Sequence, residues 1–271
     1  MTAGAPPDFQ VMGILNVTPD SFSDGGCFTD VTGAVGHGMA MEQEGASIID
    51  VGGESTRPGA EPVSEQEELA RVIPVIEGLR TAGLQATISI DTSKARVAAA
   101  ALGAGAGLVN DVSALRADPG MAELVAARGV PCVLMHMRGE PRTMQRDPRY
   151  ADVVGEVRAF LEERLHAAVE AGVAEERIWL DPGIGFGKTL EHNLALLREL
   201  PALVELGRPI VIGTSRKSFL GWLTGRDFTG LAAATVATSV LAYERGARVF
   251  RVHDVAPTRD ALIVAAATVG R

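Results

Sequence analysis

Short runs rich in Val, Ile and Leu recur along the chain, and none alternates strictly between apolar and polar positions. They occupy residues 9–17 (FQVMGILNV), 46–52 (ASIIDVG), 86–92 (ATISIDT), 107–112 (GLVNDV), 131–136 (PCVLMH), 178–182 (IWLDP), 209–215 (PIVIGTS) and 248–254 (RVFRVHD). Runs of this kind predict parallel strands covered on both faces. Between them lie Ala-, Leu- and Glu-rich stretches with helical spacing, among them 65–79, 151–171, 189–206 and 231–245. Gly45, Gly83, Gly129, Gly172, Gly207 and Gly246 stand at the predicted helix exits, where a left-handed residue is wanted.

Eight strand-then-helix units in a chain of 271 residues predict a single α/β domain, a (β/α)₈ barrel whose active site lies at the C-terminal ends of the strands. Residues 1–8 read as a flexible tail and 9–271 as the barrel domain. An open doubly wound sheet would place a Gly-rich phosphate turn after the first strand, and GILNVTP is not one. Three connections are long: 17–31, 53–64 and 137–150. The last carries Arg138, Arg142, Arg146 and Arg149, as a lid or as a solvated face.

The formal net charge of −9 argues against a nucleic-acid or anionic-membrane surface. No apolar run reaches the length of a membrane span. The first residues lack the basic and apolar regions of a secretory signal. The two cysteines, Cys27 and Cys132, form no disulfide framework. A cytoplasmic protein with no nucleic-acid or membrane partner is expected.

Polar residues collect where the strands end: Asn16, Asp50, Asp91, Asn110 with Asp111, His136, Asp181, Ser215 and His253. One strand-end Asp or Asn can simply cap the next helix, and Asp181 before Pro182-Gly183 could open a turn. In a barrel all of them converge on one rim. Carboxylates and amides there suit an N–H-rich heterocycle such as a 2-amino-4-oxo pyrimidine. Lys217, Arg251 and His253 bring positive charge to the same mouth, which suits phosphate or diphosphate. Asn16 is a hard oxygen donor able to share a Mg²⁺ with such a group.

Competing motifs fail on spacing. Gly187-Lys188-Thr189 resembles the end of a P-loop, but Pro182 stands where its first glycine is required. The stretch 213–217 is no G-x-S-x-G elbow, because position 217 is Lys. The five histidines show no metal-binding spacing; His166 and His192 fall in helical stretches and read as surface residues. The methionines read as core filler, with Met135 a candidate for the pocket floor. Cys132 reads as buried and Cys27 as a loop residue.

Eight motifs in order carry a resemblance: 13–26 (GILNVTPDSFSDGG), 50–59 (DVGGESTRPG), 89–94 (SIDTSK), 110–113 (NDVS), 134–139 (LMHMRG), 181–188 (DPGIGFGK), 214–218 (TSRKS) and 251–255 (RVHDV). From residue 10 to about 264 the chain resembles the dihydropteroate synthases, the pterin-binding barrel enzymes of folate biosynthesis that sulfonamides target. The resemblance implies condensation of (7,8-dihydropterin-6-yl)methyl diphosphate with 4-aminobenzoate, giving 7,8-dihydropteroate and diphosphate, with Mg²⁺ as cofactor. It implies that Asp91, Asn110, Asp181 and Lys217 hold the pterin, with Met135 and Arg251 packing its faces. It assigns Asn16, Arg251 and His253 to the diphosphate, with Asn16 as metal ligand. Phe22, Thr56, Arg57, Pro58 and Ser218 would form the aminobenzoate pocket, with Asp20 in a closing loop. It also implies a homodimer, for which the small-residue helix at 231–245 is suited.

The chemistry needs no protein nucleophile. Diphosphate leaves readily once neutralised, and a dihydropterin can feed electrons to its methylene carbon. A dissociative substitution at that carbon is expected, with Asp91 and Asp181 stabilising the cation and Arg251, His253 and Mg²⁺ the leaving group. Two readings stay open beside it: a catalytically silent pterin-binding paralogue, and a pterin-dependent methyltransferase domain. The second has no use for a diphosphate clamp.

Overall fold

The structure is a computed structural model that describes residues 8–18, 27–55 and 59–269, the side chains of 27–30 aside. Its strands are β1 (Gln10–Asn16), β2 (Ile48–Gly52), β3 (Thr87–Asp91), β4 (Leu108–Asp111), β5 (Cys132–Met135), β6 (Ile178–Asp181), β7 (Val211–Ile212) and β8 (Val249–Val252). The described helices are α1 (Cys27–Gln43), α2 (Glu65–Thr81), α3 (Ala95–Ala104), α4 (Met121–Arg128), α5 (Val153–Glu170), α6 (Leu190–Arg198), α7 (Pro201–Val204), α8 (Ser218–Thr224), α9 (Ala232–Glu244) and α10 (Val255–Val269).

The strands form one parallel sheet in the order β6-β5-β4-β3-β2-β1-β8-β7. A parallel bridge between Leu180 and Ile210 joins its two edges, with the Leu180 N–H donating to Pro209 O at 2.9 Å. The expected barrel is therefore closed, with its seam at the two-residue β7. Every predicted strand exists; each is trimmed at its ends except β2 at its end and β6 at its start, and β7 most of all, because the 209–215 run turns into loop at Gly213.

Period-2 alternation sorts the side chains. Met12, Ile48, Leu108, Val133, Val211 and Val249 form a separate apolar cluster with Trp179 against it. These residues plug the barrel at the N-terminal side of the site. The opposite parity joins the large outer core between sheet and helices, which includes Ile49, Ile88, Val109, Leu134, Leu180 and Phe250. Each fully buried aliphatic there contributes roughly 1.5–3 kcal/mol.

The single helix expected over 189–206 is two, because Pro201 opens α7 as its first residue and cannot continue α6. The glycines at the six helix exits all have positive φ, from +59° at Gly129 to +103° at Gly246. The first described residue is tied down: Asp8 accepts from the Tyr243 hydroxyl at 2.7 Å and pairs with Arg248 at 3.2 Å. Among the described residues no helix is long and apolar enough to cross a membrane.

Candidate active site

Register builds the site before any ligand is considered. Asn16 on β1 pairs with Gly52 on β2, Gly52 with Asp91 on β3, and Asp91 with Asn110 on β4. Met135 on β5 pairs with Asp181 on β6. Six strands' last inward positions thus lie around one rim. At Gly52, the point a Cβ would occupy is 3.7 Å from both Asn16 Oδ1 and Asp91 Oδ2, so a larger side chain would intrude between them. Gly213 plays the same part on the far side, where that point is 3.9 Å from both Arg251 Cβ and Lys217 Nζ.

Arg251 is the hub. Its Nε donates to Asp50 Oδ2 at 2.6 Å and its Nη2 to Asp91 Oδ2 at 2.7 Å. Asn110 Nδ2 donates to the same Asp50 oxygen at 3.0 Å. Asp50 is wholly buried, and its Oδ1 has no partner among the described residues. Burial works against the Arg251 charge, yet Asp50 and Asp91 more than offset it and its pKa rises. Asp91 is pushed up to about 7, chiefly by burial; Arg251 pulls it down, while Asp50 and Glu68 add to the rise.

The opposite wall is Asp181 and Lys217. Asp181 accepts from the Gly183 N–H at 2.6 Å, so it opens the turn and faces the pocket at once. Its pKa is raised by burial, against the attraction of Lys217 and the Gly183 hydrogen bond. Lys217, half-buried at the entrance to α8, donates to Ile184 O, and its ammonium lies 4.5 Å from the Phe186 ring centre. Burial pushes it down to about 8, against Asp181 and with help from Arg251.

His253 leaves β8 beside this group. Ser215 Oγ lies 2.9 Å from its Nδ1 and accepts from its backbone N–H at 3.1 Å. The loop holding Lys217 is locked to the same strand end, since Arg216 forks onto Asp254 at 3.1 and 2.6 Å. Ser218 is exposed at the first position of α8.

Asn16, Asp91, Asn110, Met135, Asp181, Lys217, Arg251 and His253 therefore share one rim. Asp20, Phe22, Thr56, Arg57 and Pro58 lie outside the described residues. Two of the expected strand-end residues turn away. Asp111 points outward and caps the following turn, accepting from Ser113 N at 2.7 Å and Leu115 N at 2.9 Å, as parity requires next to an inward Asn110. His136 pairs with Lys188 at 2.9 Å. His192 is more than a surface residue, because it completes a capping box with Thr189 at the start of α6. The arginine-rich 137–150 segment is in part a strut: Arg138 stacks 3.9 Å from the Tyr150 ring centre and pairs with Glu156, while Tyr150 and Gln145 hydrogen-bond the carbonyls of Gly187 and Gly185. Sequence reasoning placed Asp50 among the converging strand-end residues without a ligand of its own, and gave Phe186 and Lys188 no role in the site. Asp50 was visible as a strand-end carboxylate, and Lys188 as a lysine in an otherwise apolar, Gly-rich turn.

A closed parallel barrel with buried acids and bases at its C-terminal rim is an enzyme scaffold for a small, polar, partly anionic ligand. The profile of the pterin binding enzyme family matches residues 12–253. The chain is 52% identical over 265 residues to the dihydropteroate synthase of Mycobacterium leprae, covering 95% of this chain and 93% of that one. The crystal structure of Xanthomonas albilineans dihydropteroate synthase with 4-aminobenzoic acid superposes with a TM-score of 0.91 at 52% identity, covering 97% of this chain and 93% of that chain. The same enzyme in complex with 7,8-dihydropteroate gives 0.87 at 49% identity, covering 97% and 94%. The chain belongs to the dihydropteroate synthase family of pterin binding enzymes.

Proposed function

We propose that this chain condenses (7,8-dihydropterin-6-yl)methyl diphosphate with 4-aminobenzoate, releasing diphosphate and 7,8-dihydropteroate by dissociative substitution at the methylene carbon. The observation that carries this is the projection of Asp91, Asn110, Asp181 and Lys217 onto one buried rim bounded by Arg251. Asp91, Asn110 and Asp181 offer acceptors to the N–H edge of the pterin, and Lys217 donates to its oxygen and nitrogen edge. Each bond to a charged group is worth roughly 1.5–3 kcal/mol. Met135 and the Arg251 guanidinium pack the ring faces.

As the diphosphate leaves, Asp91 and Asp181 stabilise the cation that develops on the pterin. Arg251 has N–H groups left beyond those given to Asp50 and Asp91, and with His253 it receives the leaving group. The arylamine then attacks the methylene carbon. Phe22, Thr56, Arg57 and Pro58, with Ser218 at the carboxylate, form its pocket in this reading, and exclusion of water there protects the cation.

The donor set fits Mg²⁺ on a restricted basis. Among the described residues no group of three or more His, Cys, Asp or Glu side chains could cage a metal. Asn16 presents one amide oxygen at the rim, and Mg²⁺ commonly takes one or two protein oxygens with waters and substrate phosphates. When bound, it supplies neutralisation of the diphosphate charge. A homodimer belongs to the same reading, supported by exposed Leu241 on α9 and Ile263 and Val264 on the α10 that packs beside it. So do a cytoplasmic setting, where buried Cys132 stays a free thiol, and residues 9–271 as one domain.

Diphosphate release, measured with both substrates and with each alone, tests the function. 7,8-Dihydropteroate is expected only with both, and the arylamine is expected to speed sustained diphosphate release. Pterin binding without product would favour the silent paralogue.

A further inference from the structure

Lys188 is a lysine with 1% of its surface exposed, an expensive thing for a fold to bury unless every donor is used. Its Nζ donates to Gly183 O at 3.0 Å and Phe186 O at 3.0 Å, and lies 2.9 Å from His136 Nδ1. A lysine nitrogen has at most three N–H donors, and with His136 O also at 3.5 Å these contacts leave none of them without a partner. The carbonyls it gathers belong to the turn after β6. That turn is pressed against the exit of β5: a Cβ on Gly183 would stand 1.8 Å from His136 O, and one on Gly187 2.2 Å from Arg138 O. The same turn gives the Gly183 N–H to Asp181 and the Ile184 carbonyl to Lys217, and sets the Phe186 ring beside the Lys217 ammonium.

We propose that Lys188 is a positioning residue for pterin binding, its side-chain nitrogen clamping the turn between Gly183 and Phe186 to His136 so that Asp181 and Lys217 face the ring together. The proposal rests on the pterin roles given above to Asp181 and Lys217. Burial pushes the Lys188 pKa well below the usual lysine range, with Lys217 adding to the fall. His136 is pushed down to about 3, by burial first and then by Lys188. A neutral imidazole with Nδ1 as acceptor is the form that receives a Lys188 N–H, and an Asn amide oxygen can take the place of that nitrogen.

The test is calorimetric binding of 6-hydroxymethylpterin, with thermal unfolding followed in parallel. Lys188→Met is expected to lose about tenfold or more in affinity, the scale on which small displacements of binding groups act. His136→Asn, which keeps an acceptor, is expected to stay within about threefold of the parent, and His136→Leu to follow Lys188→Met. Asp181→Asn is measured alongside. If it binds the pterin like the parent, the reading of the site fails and takes this proposal with it. If it loses binding while Lys188→Met keeps the parent affinity, this proposal alone is overturned. Should Lys188→Met not fold, equal affinities in the two His136 variants overturn it.

Discussion

The Arg251 guanidinium holds Asp91 at 2.7 Å although the two residues are 160 positions apart. Through Nε the same group holds Asp50 at 2.6 Å. The cation assigned to the leaving diphosphate is thus also the counter-charge for two buried acids. Arg251→Ala is expected to slow turnover by roughly 10²-fold or more, as for loss of one charge-stabilising donor. It should also destabilise the fold by about 3 kcal/mol, because it strands buried carboxylates. Steady-state kinetics with urea unfolding checks both; unchanged turnover would remove Arg251 from the leaving-group site.

Asp181 faces the pocket while holding its own turn through Gly183. Asp181→Asn keeps an oxygen for that turn but removes the charge. The expected outcome is a folded protein whose pterin affinity falls roughly 10–100-fold, the worth of one charged hydrogen bond. Calorimetry decides it, and a parent-like affinity would take Asp181 out of the site.

Lys217 yields a pH dependence with a defined sign. Burial depresses its folded-state pKa to about 8 from the usual 10.5. Between these values the unfolded chain binds more protons, so this group's contribution makes stability rise with pH across that window. Function runs the other way: pterin affinity should fall as pH rises through about 8, where the ammonium is lost. Lys217→Met should bind weakly at all pH values and lack that limb. A pH-independent parent affinity from pH 7 to 9.5 would contradict the assignment.

Gly183 and Gly129 have nearly the same backbone, with φ of +65° and +59°. A Cβ at Gly129 meets nothing within 4 Å, whereas one at Gly183 meets His136 O at 1.8 Å. Gly129→Ala should cost about 1 kcal/mol from the left-handed conformation alone. Gly183→Ala should cost roughly 3 kcal/mol or more, since two backbones must part. Equal costs by thermal unfolding would show that the close approach is not stabilising.

Arg57→Ala addresses the aminobenzoate pocket. It should raise KM for 4-aminobenzoate more than for the pterin substrate, and equal effects on both would argue against placing that loop at the arylamine.

The sequence by itself determined the architecture. Buried parallel strands must be apolar on both faces, and helix exits want glycine, so the eight β/α units and the six left-handed glycines could be read directly. The strand-end positions of Asn16, Asp91, Asn110, Asp181 and His253 followed as well, because a barrel delivers all strand C-termini to one rim. Tertiary structure decided the partners. Parity sends Asn110 inward and Asp111 outward, but only the strand order β2-β1-β8 sets Asp50 against Arg251, 201 positions away. Lys188 became legible only when the β6 turn was seen pressed onto β5. Hydrophobic periodicity reports which face a residue occupies. Which charges meet across that face depends on strand order, stagger and the final turn of each loop, and these are properties of the packed chain.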